Sequence, residues 1–367
     1  MKVLSLGAFQ GKATLSRHLP EFEMAYVYRF QSSLQAGFYL PELRFPFSPQ
    51  AVRKLRQLSK TYDFFHSELG PGVTCYLAGV PYGLHIHGVA ELSALFGGNL
   101  REFPFLPIYR KAIEQARYVV VATENLLQPI RRIRKDVTLL PDPVEIREMR
   151  HHKHEPGEKL LFFSPSRMDQ YKGHETIWEA VELMKSKDRI TIWQVDWGWS
   201  PHYERLKESA PDCVEFVPYV PWDQIYQRYY SKCDVVLGQM KLGILSFVEL
   251  EASAAGIPVT VWAPGRRPYL PKVNTSSALS EVLDRLVTDE QFRMEYGQAC
   301  QEYVKTNRSP EVIGASLREL WNRGSTNSPK ESKIERHMVG AFVYMSQPAY
   351  LLATRFLGRR FGDPFSA

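Results

Sequence analysis

The chain has 367 residues, enough for two domains of ordinary size, and its 44% hydrophobic and 23% charged content excludes a disordered or purely solvating protein. A formal net charge of +6 leaves three partner classes: nucleic acid, an anionic membrane or a phosphorylated substrate. No RNA- or DNA-binding motif accompanies that charge, so nucleic acid is not an expected partner.

MKVLSL, at residues 1–6, reads as the first buried strand of an α/β domain. No secretory leader is expected, because Gln10 and Lys12 follow too early for an apolar core segment. GAFQGKATLSRHL comes next and places Gly7 and Gly11 in a loop where backbone can approach a phosphate. Two glycines are a weak signal by themselves, being more often a tight turn. No GxGxxG follows the strand, which disfavours a dehydrogenase. SPQAVRKLRQLSKTY (48–62) has a helical pattern. TYDFFHSEL (61–69), LHIHG (84–88) and YVVVAT (118–123) read as buried strands. Such βα alternation indicates a parallel sheet. In LHIHG, His87 lies between Ile86 and Gly88, a setting that suits either a core histidine or a site residue. His85 is expected on the opposite face of that strand in a structural role.

LLPDPVEI (139–146) leads into a charged hinge around 147–158. The histidines His151, His152 and His154 of HHKHEPGE read as linker. No Asp-x-Asp pair ends an apolar strand and no His/Cys cluster has ligand spacing, so no metal is expected. Cys75, Cys213, Cys233 and Cys300 form no CxxC pair, as suits reduced thiols of a cytosolic protein.

The second half repeats the βα scheme. KLLFFS (159–164), RITIWQV (189–195), VEFVPYV (214–220), CDVVLGQ (233–239) and IPVTVW (257–262) are predicted strands. HETIWEAVELM (174–184), WDQIYQRYYSK (222–232) and FVELEASAAG (247–256) are predicted helices. PSRMDQYKG (165–173) sets Arg167 and Lys172 in the turn between a buried strand and a helix start. Ligands of α/β sheets bind at the carboxyl ends of strands, and helix N-termini favour anions. An Arg that forks onto oxygens and a Lys that acts as a point charge make that turn a diphosphate site. Glu251 is expected at the start of a small-residue helix, where a carboxylate can accept two ribose hydroxyls. One basic turn and one acidic helix start, on neighbouring βα units, match the two ends of a nucleoside diphosphate.

GSTNSPKESK (324–333) reads as a linker. The final apolar stretch, 337–362, is interrupted by Ser346, Gln347 and Pro348 and does not read as a spanning helix. It is expected to dock on the first domain, or else to lie on an anionic membrane with Arg355, Arg359 and Arg360 at headgroup level. The basic runs RRIRK (131–135) and GRRP (265–268) are read as solvated faces.

PSRMDQYKG and LEASAAGIPV (250–259), together with their spacing, resemble family 4 retaining glycosyltransferases. Members of that family carry PSR-x-D-x-x-KG and, later, LEA-x-A-x-G-x-PV. The resemblance implies an α/β GT-B fold, two Rossmann-like doubly wound domains facing across a cleft. It implies an acceptor-side domain at 1–150, a nucleotide-sugar-binding domain at 151–323, and a linker and tail at 324–367. The implied reaction moves a sugar, with retention, from a UDP or GDP donor to a glycan or lipid-linked acceptor, with no cofactor. Arg167 and Lys172 would hold the diphosphate and offset leaving-group charge. Glu251 would bind ribose, His87 would face the donor sugar, and backbone amides around Tyr219 would read the base. The implied location is cytoplasmic, with association to the cytoplasmic face of a membrane.

Two departures from the family pattern stand out. Gly243 occupies the position eight residues before Glu251 where the family carries a sugar-contacting glutamate, and no carboxylate lies between Asp234 and Glu249. The Gln239–Gly243 stretch resembles a subgroup in which backbone amides and a glutamine replace it. HGVAE also stands where many relatives have HG-x-D, with Ala90 and Glu91 altering the carboxylate placement. The first departure keeps a second reading open, a catalytically weak nucleotide-sugar-binding or regulatory protein of the same fold. A third, a nucleotide-sugar epimerase, needs acid and base carboxylates that the sequence does not place.

Overall fold

The computed structural model describes residues 1–7, 10–26, 37–44, 48–87, 106–148, 154–155, 157–264, 271 and 273–325. The expected C-terminal tail, the run GRRP, His151, His152 and the residues Gly88 to Glu91 lie outside them. The described residues form two compact units, 1–143 with 310–325, and 144–309.

The first unit is built on a seven-stranded sheet among the described residues. Its strands are β1 (Val3–Leu6), β2 (Phe22–Tyr26), β3 (Phe38–Tyr39), β4 (Phe64–Ser67), β5 (Tyr82–Ile86), β6 (Val119–Val121) and β7 (Val137–Leu139). Their order is β3-β2-β1-β4-β5-β6-β7, and every neighbouring pair is parallel. Parallel sheets are covered on both faces, which is why the strands are near-continuous apolar runs. Alternate side chains then go to separate cores. Leu4, Phe65, Val119 and Val121 pack with helices α2 (Pro49–Leu58), α3 (Leu69–Ala78) and α4 (Leu106–Gln115). Val3, Phe64 and Val120 pack instead with Leu15 and Leu19 of α1 (Gln10–His18). A short α5 (Leu127–Arg131) precedes β7.

The second unit holds β8 (Leu160–Ser164), β9 (Ile190–Val195), β10 (Val214–Val217), β11 (Val235–Leu237) and β12 (Val259–Thr260), all parallel, in the order β10-β9-β8-β11-β12. Its helices are α6 (His174–Leu183), α7 (Pro201–Glu208), α8 (Trp222–Arg228), α9 (Phe247–Ala254), α10 (Ser276–Thr288) and α11 (Glu290–Arg308).

The units divide at 143/144 rather than at 150, and the last helix departs from the expected scheme. Val144 belongs to the second unit because its side chain joins that core and its N–H bonds the Arg308 carbonyl at 2.9 Å. α11 stops at Arg308 because Pro310 follows Ser309, which takes an extended backbone (φ −63°, ψ 152°). A residue before proline is driven out of the helical region. The next helix, α12 (Pro310–Ser325), packs Ile313, Leu317 and Trp321 into the core with Val3 and Phe64. α12 thus belongs to the first unit, not to a second domain running to residue 323.

Candidate functional site

In the second sheet, β8 and β11 are neighbours, with the chain leaving β8 toward β9 on one side and β11 toward β12 on the other. This switch point opens a crevice at the strands' carboxyl ends, the usual ligand position of such sheets. Two loops meet there, 165–173 after β8 and 238–246 after β11. The Met240 N–H donates to the Lys172 carbonyl at 2.8 Å, tying one loop to the other. The Lys241 ammonium adds a bond to the Gln170 carbonyl at 3.2 Å.

The structure brings Arg167 and Lys172 to this crevice edge in different states. Arg167 donates from Nε to Asp169 at 2.8 Å, with a second guanidinium contact at 2.6 Å. Its guanidinium also sits over the rings of Trp197 and Trp199, at 5.6 and 5.1 Å. The fork is therefore held in place before any ligand arrives. Lys172 is partly buried and its ammonium has no hydrogen-bond or ion-pair partner among the described residues. His174, the first residue of α6, is fully buried with both ring nitrogens unbonded. Burial pushes its pKa down to about 4, so the helix start carries no imidazolium charge near neutrality.

Glu251 does not stand at a helix start. α9 begins at Phe247, where Ser246 and Glu249 form a capping box. Glu249 Oε2 accepts from the Ser246 N–H at 2.7 Å, and Oε1 accepts from the Gln239 N–H at 3.0 Å. Glu249 is fully buried and holds the 238–246 loop against its helix. The sequence reading missed it, although Ser-x-x-Glu before an apolar run was the available signal. Glu251 lies two residues further on, about one turn into the helix. The Trp222 indole N–H donates to Oε1, and Oε2 is buried with no hydrogen-bond partner among the described residues. Burial pushes the carboxyl up to about 8, offset in part by the Trp222 bond and the Arg147 charge.

Gln239 was expected to meet the donor; the structure spends its amide on the loop itself. Nε2 donates to the Ile244 carbonyl at 2.5 Å, while Oε1 accepts from the amides of Lys241 at 3.0 Å and Leu242 at 2.6 Å. Gly243 sits in that turn with φ +68°, and a Cβ there would lie 3.2 to 3.3 Å from the Pro264 and Trp262 rings. Left-handed backbone and crowded rings account for glycine at this position. Tyr219 follows β10 and is 57% exposed, its ring 5.0 Å from that of Trp197. The turn before it is pinned by the Tyr229 hydroxyl, which donates to the Pro218 carbonyl at 2.6 Å. Tyr171 and Trp199 are also exposed, so aromatic rings stand after β8, β9 and β10 alike.

The glycines expected near a phosphate in the first unit do not form such a loop. Gly11 lies inside α1. Gly7 has φ +138°, and a Cβ on it would fall 2.3 Å from the Glu68 carboxylate. The close neighbour is thus an anion, which repels phosphate.

His85 and His87 correct another expectation. Residues two apart on a strand share a face, and their rings lie 4.1 Å apart. His87 Nδ1 is 3.1 Å from Asp142 Oδ1, and His85 Nε2 is 2.9 Å from the Leu140 carbonyl. Together with Asp142 they bring three donor atoms within 4.8 Å, a set that could hold a cation. The fit is poor, because a carbonyl only accepts, so His85 Nε2 must carry the proton and lacks the lone pair a metal needs. His154, read as linker, anchors the hinge instead: its Nε2 lies 2.7 Å from Asp234 at the start of β11.

Comparison with known proteins places this geometry. Residues 145–303 match the family model described as glycosyl transferases group 1. Curated relatives include a GDP-mannose-dependent alpha-(1-6)-phosphatidylinositol monomannoside mannosyltransferase of Mycobacterium tuberculosis, 25% identical over 202 residues, which are 49% of this chain and 51% of the relative. The chain spans about half the length of the curated relatives it matches. Among solved structures it resembles Anabaena HepE in complex with UDP and glucose, with a TM-score of 0.66 at 14% identity over 88% of this chain and 100% of that one. It also resembles sucrose-phosphate synthase of Thermosynechococcus elongatus, with a TM-score of 0.63 at 16% identity over 88% and 99%. The chain has the GT-B fold, two Rossmann-like α/β domains on parallel sheets, and its second unit is related to the group 1 glycosyl transferases.

Proposed function

We propose that this protein is a glycosyltransferase that moves a sugar from a nucleoside-diphosphate donor to a hydroxyl of a glycan or lipid-linked acceptor. The observation that carries the reading is that the loop after β8 holds Arg167 and Lys172 while the helix after the adjacent strand β11 holds Glu251, all inside the segment that matches the group 1 model. Two cations meet the diphosphate. Glu251 offers an unbonded oxygen to a ribose hydroxyl. The exposed rings of Trp199 and Tyr219 give a base something to lie on.

The chemistry asked of these groups is electrostatic. The bond from the anomeric carbon to the diphosphate breaks, a bond to the acceptor oxygen forms on the same face, and the acceptor proton passes to the departing phosphate. Fixed cations stabilise charge that develops on the leaving group, and an Arg held by Asp169 and two indoles needs little reorganisation to do so. Configuration is retained because attack and departure share one face. His87 meets the donor sugar in this reading. The relatives' donors include a GDP-sugar and a UDP-sugar, so both nucleotides belong in the test. The surplus of positive charge suits an acceptor at the anionic cytoplasmic face of a membrane. No helix among the described residues is long and apolar enough to cross one.

Gly243 favours one second reading, a protein that binds the nucleotide sugar and turns it over poorly. Incubation with UDP- and GDP-sugars, watching nucleotide release, alongside a thermal-shift panel of nucleoside diphosphates, separates the two. Release supports the transferase. A thermal shift without release supports the binding protein, and neither effect discards both.

A further inference from the structure

The loop after β9 reads Asp196, Trp197, Gly198, Trp199, a stretch to which the sequence motifs gave no role. The Trp197 N–H donates to the Val195 carbonyl at 2.8 Å, so the chain turns tightly at Asp196. Gly198 then passes close to Tyr203, where a Cβ would fall 2.2 Å from the ring. Tyr203 cannot retreat easily. Its hydroxyl donates to Asp196, which the Lys207 ammonium also meets at 3.0 Å, and its N–H donates to the Ser200 hydroxyl at 3.2 Å. Only glycine fits between the two tryptophans, and its closeness to Tyr203 fixes where both indoles go.

Both go to Arg167, whose backbone is fixed as firmly. The Met168 N–H donates to the Trp197 carbonyl at 3.0 Å, tying the tryptophan loop to the arginine's own loop. Gln194 Nε2 donates to the Ser166 carbonyl and the Asp169 N–H to the Arg167 carbonyl, each at 3.0 Å. Asp169 Oδ2 takes Nε and Nη2 of the guanidinium, at 2.8 and 2.6 Å, while Nη1 has no partner among the described residues. An ion pair this exposed holds a long side chain weakly by itself. The indoles supply the rest, because a planar guanidinium stacks on ring faces as an ammonium cannot. Trp199 is 60% exposed, so burial does not explain its place, and Arg167 is its ring's only partner among the described residues.

We propose that Trp199, together with Trp197, is a positioning residue for Arg167. The indoles keep the guanidinium at the crevice edge, so that the N–H groups Asp169 leaves unused are available to a diphosphate. The diphosphate rests on the transferase reading above; the platform does not. Fixing the charge in advance spares its reorganisation at the moment the leaving group departs.

The test is NMR on full-length protein labelled with 13C,15N-arginine, with Arg167→Lys to assign the signals. Ring currents of the two indoles should move the Arg167 δ-methylene protons upfield of those of an ordinary arginine. Trp199→Leu should lose much of that shift, and Trp199→Phe should keep most of it. In parallel, kcat for sugar transfer should fall about tenfold in Trp199→Leu and recover in large part in Trp199→Phe. Added to Arg167→Ala, Trp199→Leu should lower kcat no further, because the two residues act as one unit. Ordinary Arg167 shifts in the unmodified protein, or shifts unchanged in Trp199→Leu, overturn the proposal. So does a loss in Trp199→Leu confined to the donor KM, which would leave the ring to the base alone, or a loss of kcat that persists in full in the Arg167→Ala background. Absence of transfer by the unmodified protein counts against the transferase reading alone, and the arginine spectrum then decides the platform by itself.

Discussion

At the scale of single residues, the two cations of the basic turn differ in how much of their interaction is already used. Arg167 is spent partly on Asp169 and two indoles, whereas the Lys172 ammonium has no partner among the described residues. Arg167→Ala should lower kcat about a hundredfold if fixed charge stabilises the leaving diphosphate. Its melting temperature should barely move, because a partly exposed ion pair contributes about 0–1 kcal/mol. Turnover that survives both Arg167→Ala and Lys172→Ala would remove these residues from the mechanism. Glu251 makes a pH prediction. Its carboxyl is pushed up to about 8 in the ligand-free fold, against an ordinary value of 4.5. Between those values the folded chain keeps a proton that the unfolded chain has lost, so stability falls as pH rises from 4.5 to about 8 and levels off above. Ribose hydroxyls that donate to Glu251 favour its ionised form. Nucleotide binding at pH 7 should therefore release a proton, and Glu251→Gln should abolish that release. Calorimetry in two buffers of different ionisation heat reads it directly; equal binding heats in the unmodified protein would count against Glu251 as the ribose ligand.

At the scale of elements, the 238–246 loop is organised from within. Glu249 and the Gln239 amide take up its backbone groups, and Gly243 makes its turn. Gly243→Ala should cost about 1–2 kcal/mol, the usual penalty of left-handed backbone for a residue with a Cβ. Gly243→Glu should restore no sugar contact and should destabilise at least as much, since its Cβ would already crowd the Pro264 and Trp262 rings on left-handed backbone. Chemical denaturation of both variants checks this; a Gly243→Glu protein with raised turnover and unchanged stability would show that the loop is not built around glycine. The sequence showed the departure from the family pattern at this position. It did not show the cause, because φ and the approach of residues 262 and 264 belong to the folded chain.

At the scale of the molecule, the first unit is completed by the last described helix. Trp321 is 1% exposed, stacks on Phe22 at 5.7 Å and donates to the Tyr118 hydroxyl. Trp321→Ala should cost about 3–5 kcal/mol, the range for emptying a large aromatic site. The loss should fall on the first unit, whose core holds Trp321. Hydrogen exchange resolved along the chain checks the assignment: protection should drop in β1 and β4 and persist in β8 and β11. A uniform drop in both sheets would show that the two units unfold together.

The chain by itself determined the βα alternation, the parallel sheets and the basic turn at Arg167 and Lys172, because these follow from local apolar periodicity and from the residues between a strand and a helix. It also marked Glu251 and the unusual Gly243. Only the tertiary structure decided that Glu249 rather than Glu251 caps α9, that Gln239 faces its own loop, that Gly7 adjoins Glu68, and that Asp142 stands beside His87. Those outcomes depend on which strands lie side by side and on where each helix begins, and contacts between residues 55 apart, such as His87 and Asp142, leave no periodic trace in the sequence.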